Sequence, residues 1–321
     1  MTMEERKKVL ILAFNLGLDS HIVNGPGISL RNLLVFFSKY NSNLSFEVFS
    51  NHAPKTKING VKIYNIKNSR KLRESLDSAD ILHCWSGLFD DVLFWAKEAN
   101  KLGKKVILGP NLFDLTSLSK EVELLRSIKY SVFLTANPRL KHLISNRYKI
   151  PSENMFSFMV GPDLDLWTPP DKVDTFILWK GNSRQPVKDF RFAKELKKVL
   201  PRYKFLFLTN YNYLDHIKLA SSARLYINTS LSETKGMAQL EQMAAGVPSI
   251  THPKIFCHGV NYKTGIVASK SIRDYAEAID EVLSHNLLRK ELRVGARRYV
   301  EERFFPEDIV REYIRIVEYA C

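Results

Sequence analysis

The strongest constraint on the fold of this chain is an alternation that starts twice: short apolar runs rich in β-branched residues, separated by amphipathic stretches. Parallel strands are covered by helices on both sheet faces, so they read as continuous apolar runs, and this alternation predicts parallel sheets wrapped by helices. In the first half the candidate strands are Val9–Ala13, Phe46–Phe49, Val61–Ile66, Ile81–Trp85, Val106–Leu108 and Ser131–Thr135. Helical spacing falls on Ser29–Tyr40, Leu88–Leu102, Glu121–Ile128 and Pro138–Asn146. The stretch Asp163–Asp174 (DLDLWTPPDKVD) breaks the pattern, because paired prolines continue neither a helix nor a central strand. Alternation resumes with strands at Phe176–Trp179, Phe205–Leu208, Arg224–Asn228 and Val247–Thr251, and helices at Asp189–Leu200, Tyr213–Ala220 and Met237–Ala245. Three helical stretches close the chain, at Ser271–Ser284, Leu287–Arg303 and Pro306–Tyr319.

With 321 residues, 45% of them hydrophobic, the chain exceeds the size at which a single core usually keeps growing. The expected division is therefore a Rossmann-like domain over 1–164, a second over 175–304, and a C-terminal helix over 305–321. No run of about 18 uncharged apolar residues is present and the first residues do not resemble a signal peptide, which predicts a cytoplasmic protein. Cys84, Cys257 and Cys321 lie far apart with no CxxC pair, the usage of free thiols rather than of a disulfide framework or a zinc cluster. Lys and Arg outnumber Asp and Glu by 48 to 34, a net charge of +14 that favours phosphates, anionic lipid surfaces or nucleic acid as partners. No RNP-type strand, recognition helix or zinc finger accompanies the charge, so nucleic acid is the least favoured of the three.

Three loops carry candidate chemistry. The most informative is Ser230–Ile250, SLSETKGMAQLEQMAAGVPSI. Seven residues separate Glu233 from Glu241, Gly236 lies between them, and a helix is expected from Met237. One carboxylate then sits in the loop and the other about a turn inside the helix, while the backbone N–H groups at the helix start face an anion. Such a pair can hold hydroxyls at either end of a ligand whose middle is phosphate. By spacing alone the two also read as a solvated loop residue and a helix-surface residue. Upstream, FILWKGNSRQPVKDF runs an apolar strand into a polar loop holding Gly181, Arg184 and Lys188, two cations where a diphosphate could sit at the mouth of a parallel sheet. A solvated basic loop is the alternative. Near the N-terminus, Asn24-Gly25-Pro26-Gly27 precedes a helix, and Gly25 and Gly27 let the backbone come close to a ligand, a plain connecting turn being the other reading. This is not a GxGxxG fingerprint, which disfavours a nicotinamide dehydrogenase.

Together these segments resemble the retaining family-four glycosyltransferases, whose donor signature is E, seven residues, E and an AxGxP ending; here Glu233, Gly236, Glu241, Met243, Ala244, Gly246 and Pro248 stand in those places. Ala79–His83 is similar to the family's ADIVH strand, Met159–Trp167 to the passage before its linker, and Gly259-Val260-Asn261 with Gly265 to the segment after the donor site. The resemblance implies an α/β fold of the GT-B type, two Rossmann-like domains facing a central cleft, with the C-terminal helix packing back toward the first. It places Glu233 beside the transferred sugar, Glu241 on the ribose hydroxyls, Gly236, Met237 and Gly181 in the donor site, Arg184 and Lys188 on the leaving diphosphate, and Gly25 and Gly27 near diphosphate and acceptor.

It also implies transfer with retention from a nucleotide-diphosphate sugar to a glycan, a lipid-linked glycan or a protein, with no cofactor and no metal, since no DxD motif ends a strand. Two departures stand out. Asp189 occupies a position where a glycine is common, and Gly181 lies three residues before Arg184. Where the family often directs a His at the sugar, this chain has Gly109-Pro110-Asn111; Asn111 can hydrogen-bond a sugar but cannot relay a proton, leaving His83, a lone strand-end histidine of the kind that is usually structural. A GT-B epimerase and a non-catalytic sugar or polyanion binder are the competing readings. Lys67–Arg73 sets four cations at a helix start, and Ser119–Lys129 sets Lys120, Arg126 and Lys129 beside Leu124, Leu125 and Ile128; these read as ordinary solvated helix faces or, as the resemblance implies, as peripheral contact with an anionic membrane.

Overall fold

The six apolar runs of the first half become six of seven parallel strands in the computed structural model, which describes residues 6–16, 25–40, 43–52, 57–86, 90–111, 126–148, 151–209, 213–214, 216–253, 255 and 260–321. Two units form. Unit 1 comprises residues 1–160 with 306–321, and unit 2 comprises 161–305.

Unit 1 holds β1 (Lys7–Asn15), β2 (Leu44–His52), β3 (Ile63–Asn65), β4 (Ile81–Ser86), β5 (Lys105–Asn111), β6 (Val132–Thr135) and β7 (Met155–Ser157), in the order β3-β2-β1-β4-β5-β6-β7. Every neighbouring pair is parallel. Its helices are α1 (Gly25–Lys39), α2 (Ser69–Ser78), α3 (Asp90–Lys101) and α4 (Pro138–Tyr148). One face of the sheet packs Leu10, Leu12, Leu82, Leu108 and Phe133 against Trp95, Ala96 and Leu140 from the helices. The Asn68 side chain accepts from the Lys71 backbone N–H and starts α2 as an N-cap. The helix expected at Ser29 begins earlier, so Gly25 and Gly27 lie in the first turn of α1; Pro26 is tolerated there because first-turn N–H groups have no intrahelical partner. Residues 121–125 of the helix expected at Glu121–Ile128 lie outside the described residues, as does most of the basic stretch Ser119–Lys129. Strand β7 (MFS) was not expected: it has no β-branched residue to mark it.

The cations of Lys67–Arg73 are largely engaged by acids. Arg70 pairs with Glu74, Lys71 with Glu47 and Glu74, and Arg73 with Glu98 at 2.7 Å and with Asp77. Among the described residues no helix is long and apolar enough to cross a membrane.

Unit 2 holds β8 (Phe176–Lys180), β9 (Lys204–Leu208), β10 (Leu225–Ile227), β11 (Ser249–Thr251) and β12 (Gly265–Val267), all parallel, in the order β12-β11-β10-β8-β9. Its helices are α5 (Phe190–Val199), α6 (Ile217–Ser221), α7 (Met237–Ala244), α8 (Ile272–Ser284) and α9 (Asn286–Arg303). Ile177, Leu225, Ile227 and Ile250 of the sheet meet Ala193, Leu196, Tyr275, Ile279 and Leu292 of the helices. Trp167, from the proline-rich break, is fully buried within this unit. Strand β12 (GIV) was not expected either: it opens on glycine, a residue depleted in strands.

The last helix, α10 (Pro306–Ala320), belongs to unit 1, against α1 and the strands. Tyr313 packs edge-on to Phe37 and stacks on His83, and Tyr319 donates to Asn154 at 2.9 Å. His83 is fully buried on β4, with Nε2 2.7 Å from the Gly109 carbonyl and Nδ1 2.6 Å from the Tyr313 hydroxyl. A carbonyl only accepts, so Nε2 carries the proton and Nδ1 accepts from the tyrosine. Burial lowers the His83 pKa to about 4 from its ordinary 6.5. The unfolded chain therefore binds the proton first as pH falls, and the stability that His83 contributes is present above about 6.5 and lost on acidification toward 4, roughly 3 kcal/mol in all. Thermal unfolding between pH 7 and pH 4 should show this slope in the wild type and lack it in His83→Gln; equal slopes would remove His83 from the account.

Candidate functional site

In an open parallel sheet the loops leave in opposite directions where the strand order reverses, and the gap at the carboxyl ends of those strands is where ligands bind. In unit 2 that point lies between β8 and β10, because β8 is followed in sequence by its neighbour on one side and flanked by β10 on the other. The loop after β8 contains Gly181, Arg184 and Lys188; the loop after β10 contains Glu233 and Gly236. The two loops singled out from the sequence therefore leave from the two sides of the reversal.

They meet in an ion pair. Lys188 Nζ lies 2.6 Å from Glu233 Oε1, and the Ser230 hydroxyl donates to the same oxygen at 2.7 Å. Both side chains are partly exposed. Backbone contacts hold the loops together: Leu231 N donates to Val187 O at 2.7 Å, and Thr229 Oγ1 donates to Lys188 O at 2.9 Å. Trp179 Nε1 in turn donates to Thr229 Oγ1 at 2.8 Å, which ties the crossing to the buried strand β8. Ser230 is fixed from below, its N–H donating to Asn228 Oδ1 and its carbonyl lying 2.8 Å from His252 Nε2.

Asp189 explains its own departure from the family pattern. Its backbone is left-handed, at φ 45° and ψ 54°, the conformation for which glycine is the default and Asp one of the tolerated substitutes. The side chain compensates: Oδ1 accepts from the Phe192 N–H as the N-cap of α5, and Oδ2 pairs with Lys270 at 2.8 Å. Lys270 also donates to the Thr229 carbonyl at 2.6 Å, bracing both loops from the far side.

Gly236 opens α7 with a left-handed backbone, φ 64° and ψ 39°, and no side chain caps the helix start. The N-terminus of α7 begins four residues beyond Glu233, and its partial positive charge suits an anion. Met237 is buried. Lys235 is buried beside Gly236, and burial lowers its pKa to about 7.

Glu241 faces inward. It is 1% exposed; its Oε2 lies 2.5 Å from Lys180 Nζ and its Oε1 accepts from the Tyr213 hydroxyl at 2.7 Å. Trp167 Nε1 donates to the same hydroxyl at 3.0 Å, and the Lys180 ammonium sits 4.7 Å from the Trp167 ring. Burial pulls the Lys180 pKa down while the carboxylate of Glu241 pulls it up. Sequence reasoning missed Lys180, Tyr213 and Lys270; a lysine closing an otherwise apolar strand (FILWK) was the available sign of the first.

The remaining predicted residues are divided between the units. Arg184 is exposed on the loop after β8, its N–H on Asn182 Oδ1, and Gly181 packs beside Trp179. Gly25, Gly27, Asn111 and His83 belong to unit 1. Asn111 ends β5, and its side chain lies outside what is described. His83, closed in by Gly109 and Tyr313, is a structural histidine that joins β4 to β5 and α10.

Residues 178–299, which lie within unit 2, match the model of the family described as glycosyl transferases group 1. Curated protein sequences yield no match. Among solved structures, the chain is similar to sucrose-phosphate synthase from Thermosynechococcus elongatus, at 12% identity and TM-score 0.75 with 98% of each chain covered. It is also similar to HepE of Anabaena in complex with UDP and glucose, at 14% identity and TM-score 0.72, covering 97% of this chain and 99% of that one. A glycosyltransferase from Rickettsia africae matches at 14% identity and TM-score 0.70, with 99% of each chain covered. At such identities the likeness is one of fold, and that fold is GT-B, built from two Rossmann-like units.

The buried Lys180–Glu241 pair generates a stability prediction. Lys180→Met strands a carboxylate in the interior and should cost about 3–5 kcal/mol, whereas Lys180→Met with Glu241→Leu removes both charges and should recover most of that loss. Chemical denaturation of the three proteins measures this; a double variant no more stable than the single one would show that the two charges are not coupled.

Proposed function

We propose that this chain transfers a glycosyl group from a nucleoside-diphosphate sugar to a hydroxyl of a glycan, free or lipid-linked, with retention of anomeric configuration. The observation that carries the reading is the Lys188–Glu233 pair, formed where β8 and β10 part and beside the N-terminus of α7, within the segment that matches group 1 glycosyltransferases. In this reaction the bond between the anomeric carbon and the diphosphate oxygen breaks, the sugar passes through an oxocarbenium-like state, and the acceptor oxygen attacks from the same face. The acceptor proton leaves with the departing phosphate oxygen. No protein nucleophile is required, so the protein contributes by stabilising the leaving charge and by positioning.

Lys188 and the exposed Arg184 supply positive charge to the diphosphate, and the amides that open α7 add to it. Glu233, held by Lys188 and Ser230, meets the sugar hydroxyls. Glu241 takes a ribose hydroxyl as a further donor: Lys180 and Tyr213 use one lone pair on each of its oxygens, and a carboxylate oxygen has two. Because lysine and arginine side chains carry the counter-charge and the sequence has no DxD strand end, transfer proceeds without a divalent metal. HepE was solved with UDP and glucose, which makes UDP-glucose the first donor to test.

Release of nucleoside diphosphate from a panel of donors, with and without a glycan acceptor mixture, tests the reading. Activity should depend on acceptor and survive chelation by EDTA. Lys188→Ala and Glu233→Gln should each lower turnover by about 10²–10³, the range for losing one charge-stabilising group, with little change in melting temperature because both side chains are partly exposed. Glu241→Gln should instead weaken diphosphate binding by about 1–3 kcal/mol. Donor consumption that ignores the acceptor would favour epimerisation, and wild-type turnover in both loop variants would remove the assignment.

A further inference from the structure

Unit 2 has a second concavity, none of whose lining residues belongs to the site described above. It runs between the outer face of α9 and the segment 260–264, with a volume of about 790 Å³. That is within the range of ligand pockets, roughly 300–1,000 Å³. Its floor is set by Gly295: a Cβ there would lie 1.9 Å from the Lys263 carbonyl oxygen, so the absence of a side chain lets the segment lie directly on the helix. Leu292, Ala296 and Val300 turn the opposite face of α9 into the core, which leaves Lys290, Val294 and Arg298, spaced four residues apart, along the groove.

The charges of this groove behave unlike those around them. On the same helix Arg297 pairs with Glu301 at 2.6 Å, and nearby Arg273 pairs with Glu277. Among the described residues, the groove cations Lys263, Lys290, Arg298 and Arg303 make no ion pair, and neither do Glu291 and Glu302 beside them. Two tyrosines complete the lining. Tyr262 is 52% exposed, with its hydroxyl held by Glu281 at 3.1 Å, and Tyr299 lies under the Arg303 guanidinium at 4.6 Å.

We propose that this groove binds an anionic oligosaccharide whose acidic groups are spaced rather than continuous. The four cations take its carboxylates, sulfates or phosphates; Glu291 and Glu302 accept from its hydroxyls; and the Tyr262 ring packs on the apolar face of a sugar. Glu291 and Glu302 interrupt the positive charge, so a densely charged polymer such as a nucleic acid gains less here than a chain with spaced charges. A flat bilayer could not follow the concave floor at Gly295. The proposal is independent of the donor chemistry and does not require it.

The experiment titrates the full chain with a galacturonate hexasaccharide, a heparin-derived hexasaccharide, cellohexaose and inorganic polyphosphate, and sediments it with phosphatidylglycerol vesicles. At least one anionic hexasaccharide should bind, more weakly as salt rises, and cellohexaose should not. Lys290→Ala with Arg298→Ala should weaken that binding by about tenfold or more. Tyr262→Ala should weaken binding of the hexasaccharide but not of polyphosphate. All three side chains are exposed, so the fold should persist, which circular dichroism checks. Absence of binding by both anionic hexasaccharides would overturn the proposal. So would affinities unchanged in both variants, or polyphosphate and vesicle binding that tracks the hexasaccharide in each of them, the signature of an unspecific basic surface.

Discussion

A parallel sheet imposes a geometry that the rest of this protein follows. Parallel neighbours cannot be joined by a tight turn, so each strand is followed by a crossover that covers one face, and both faces become apolar interior. Polar chemistry is left only the strand ends, and it concentrates where the crossovers diverge. In unit 2 that divergence separates β8 from β10. The buried body of β8, Phe176 to Trp179, anchors a polar loop at one end, and the short strand β10 delivers Asn228, Thr229 and Ser230 to the same place. The Lys188–Glu233 contact is a consequence of this arrangement, since neither loop could be held so closely without a rigid sheet beneath it.

Charge is handled differently at three depths. At the surface of α2, cations share exposed acids in a small network, with Glu74 meeting both Arg70 and Lys71, and such pairs contribute little to stability. At the loop junction, Lys270 and Asp189 are mostly covered and act through geometry, holding a left-handed turn that brings Lys188 to Glu233. In the interior, Lys180 and Glu241 have almost no exposure, and each makes the other tolerable, with Tyr213 and Trp167 completing the hydrogen bonds. This inward network gives Glu241 a second task beyond any ligand: it joins α7 to the end of β8 and, through Trp167, to the proline-rich break.

The C-terminal helix shows how a chain can cross its own division. Residues 306–321 follow unit 2 in sequence yet supply Tyr313 to the core of unit 1, where it donates to the only nitrogen of His83 still open after the Gly109 carbonyl is satisfied. Buried polar groups must be hydrogen-bonded, and here a residue 230 positions away provides the bond.

Much of this was legible in the sequence because the relevant signals are local. Apolar period and proline placement located the long strands and nearly all of the helices, and the spacing from Glu233 to Glu241 with Gly236 between them marked the loop and helix that hold these residues. Strands β7 and β12 escaped, the first lacking any β-branched residue and the second opening on glycine. What only the tertiary structure decided is who meets whom. Lys188 pairs with Glu233 across 45 positions, Lys180 with Glu241 across 61, and His83 with Tyr313 across 230. Such pairings depend on strand order and burial, which no local pattern encodes: the sequence determined that Glu241 would lie on a helix, but only packing determined that it would face a buried lysine rather than open solvent.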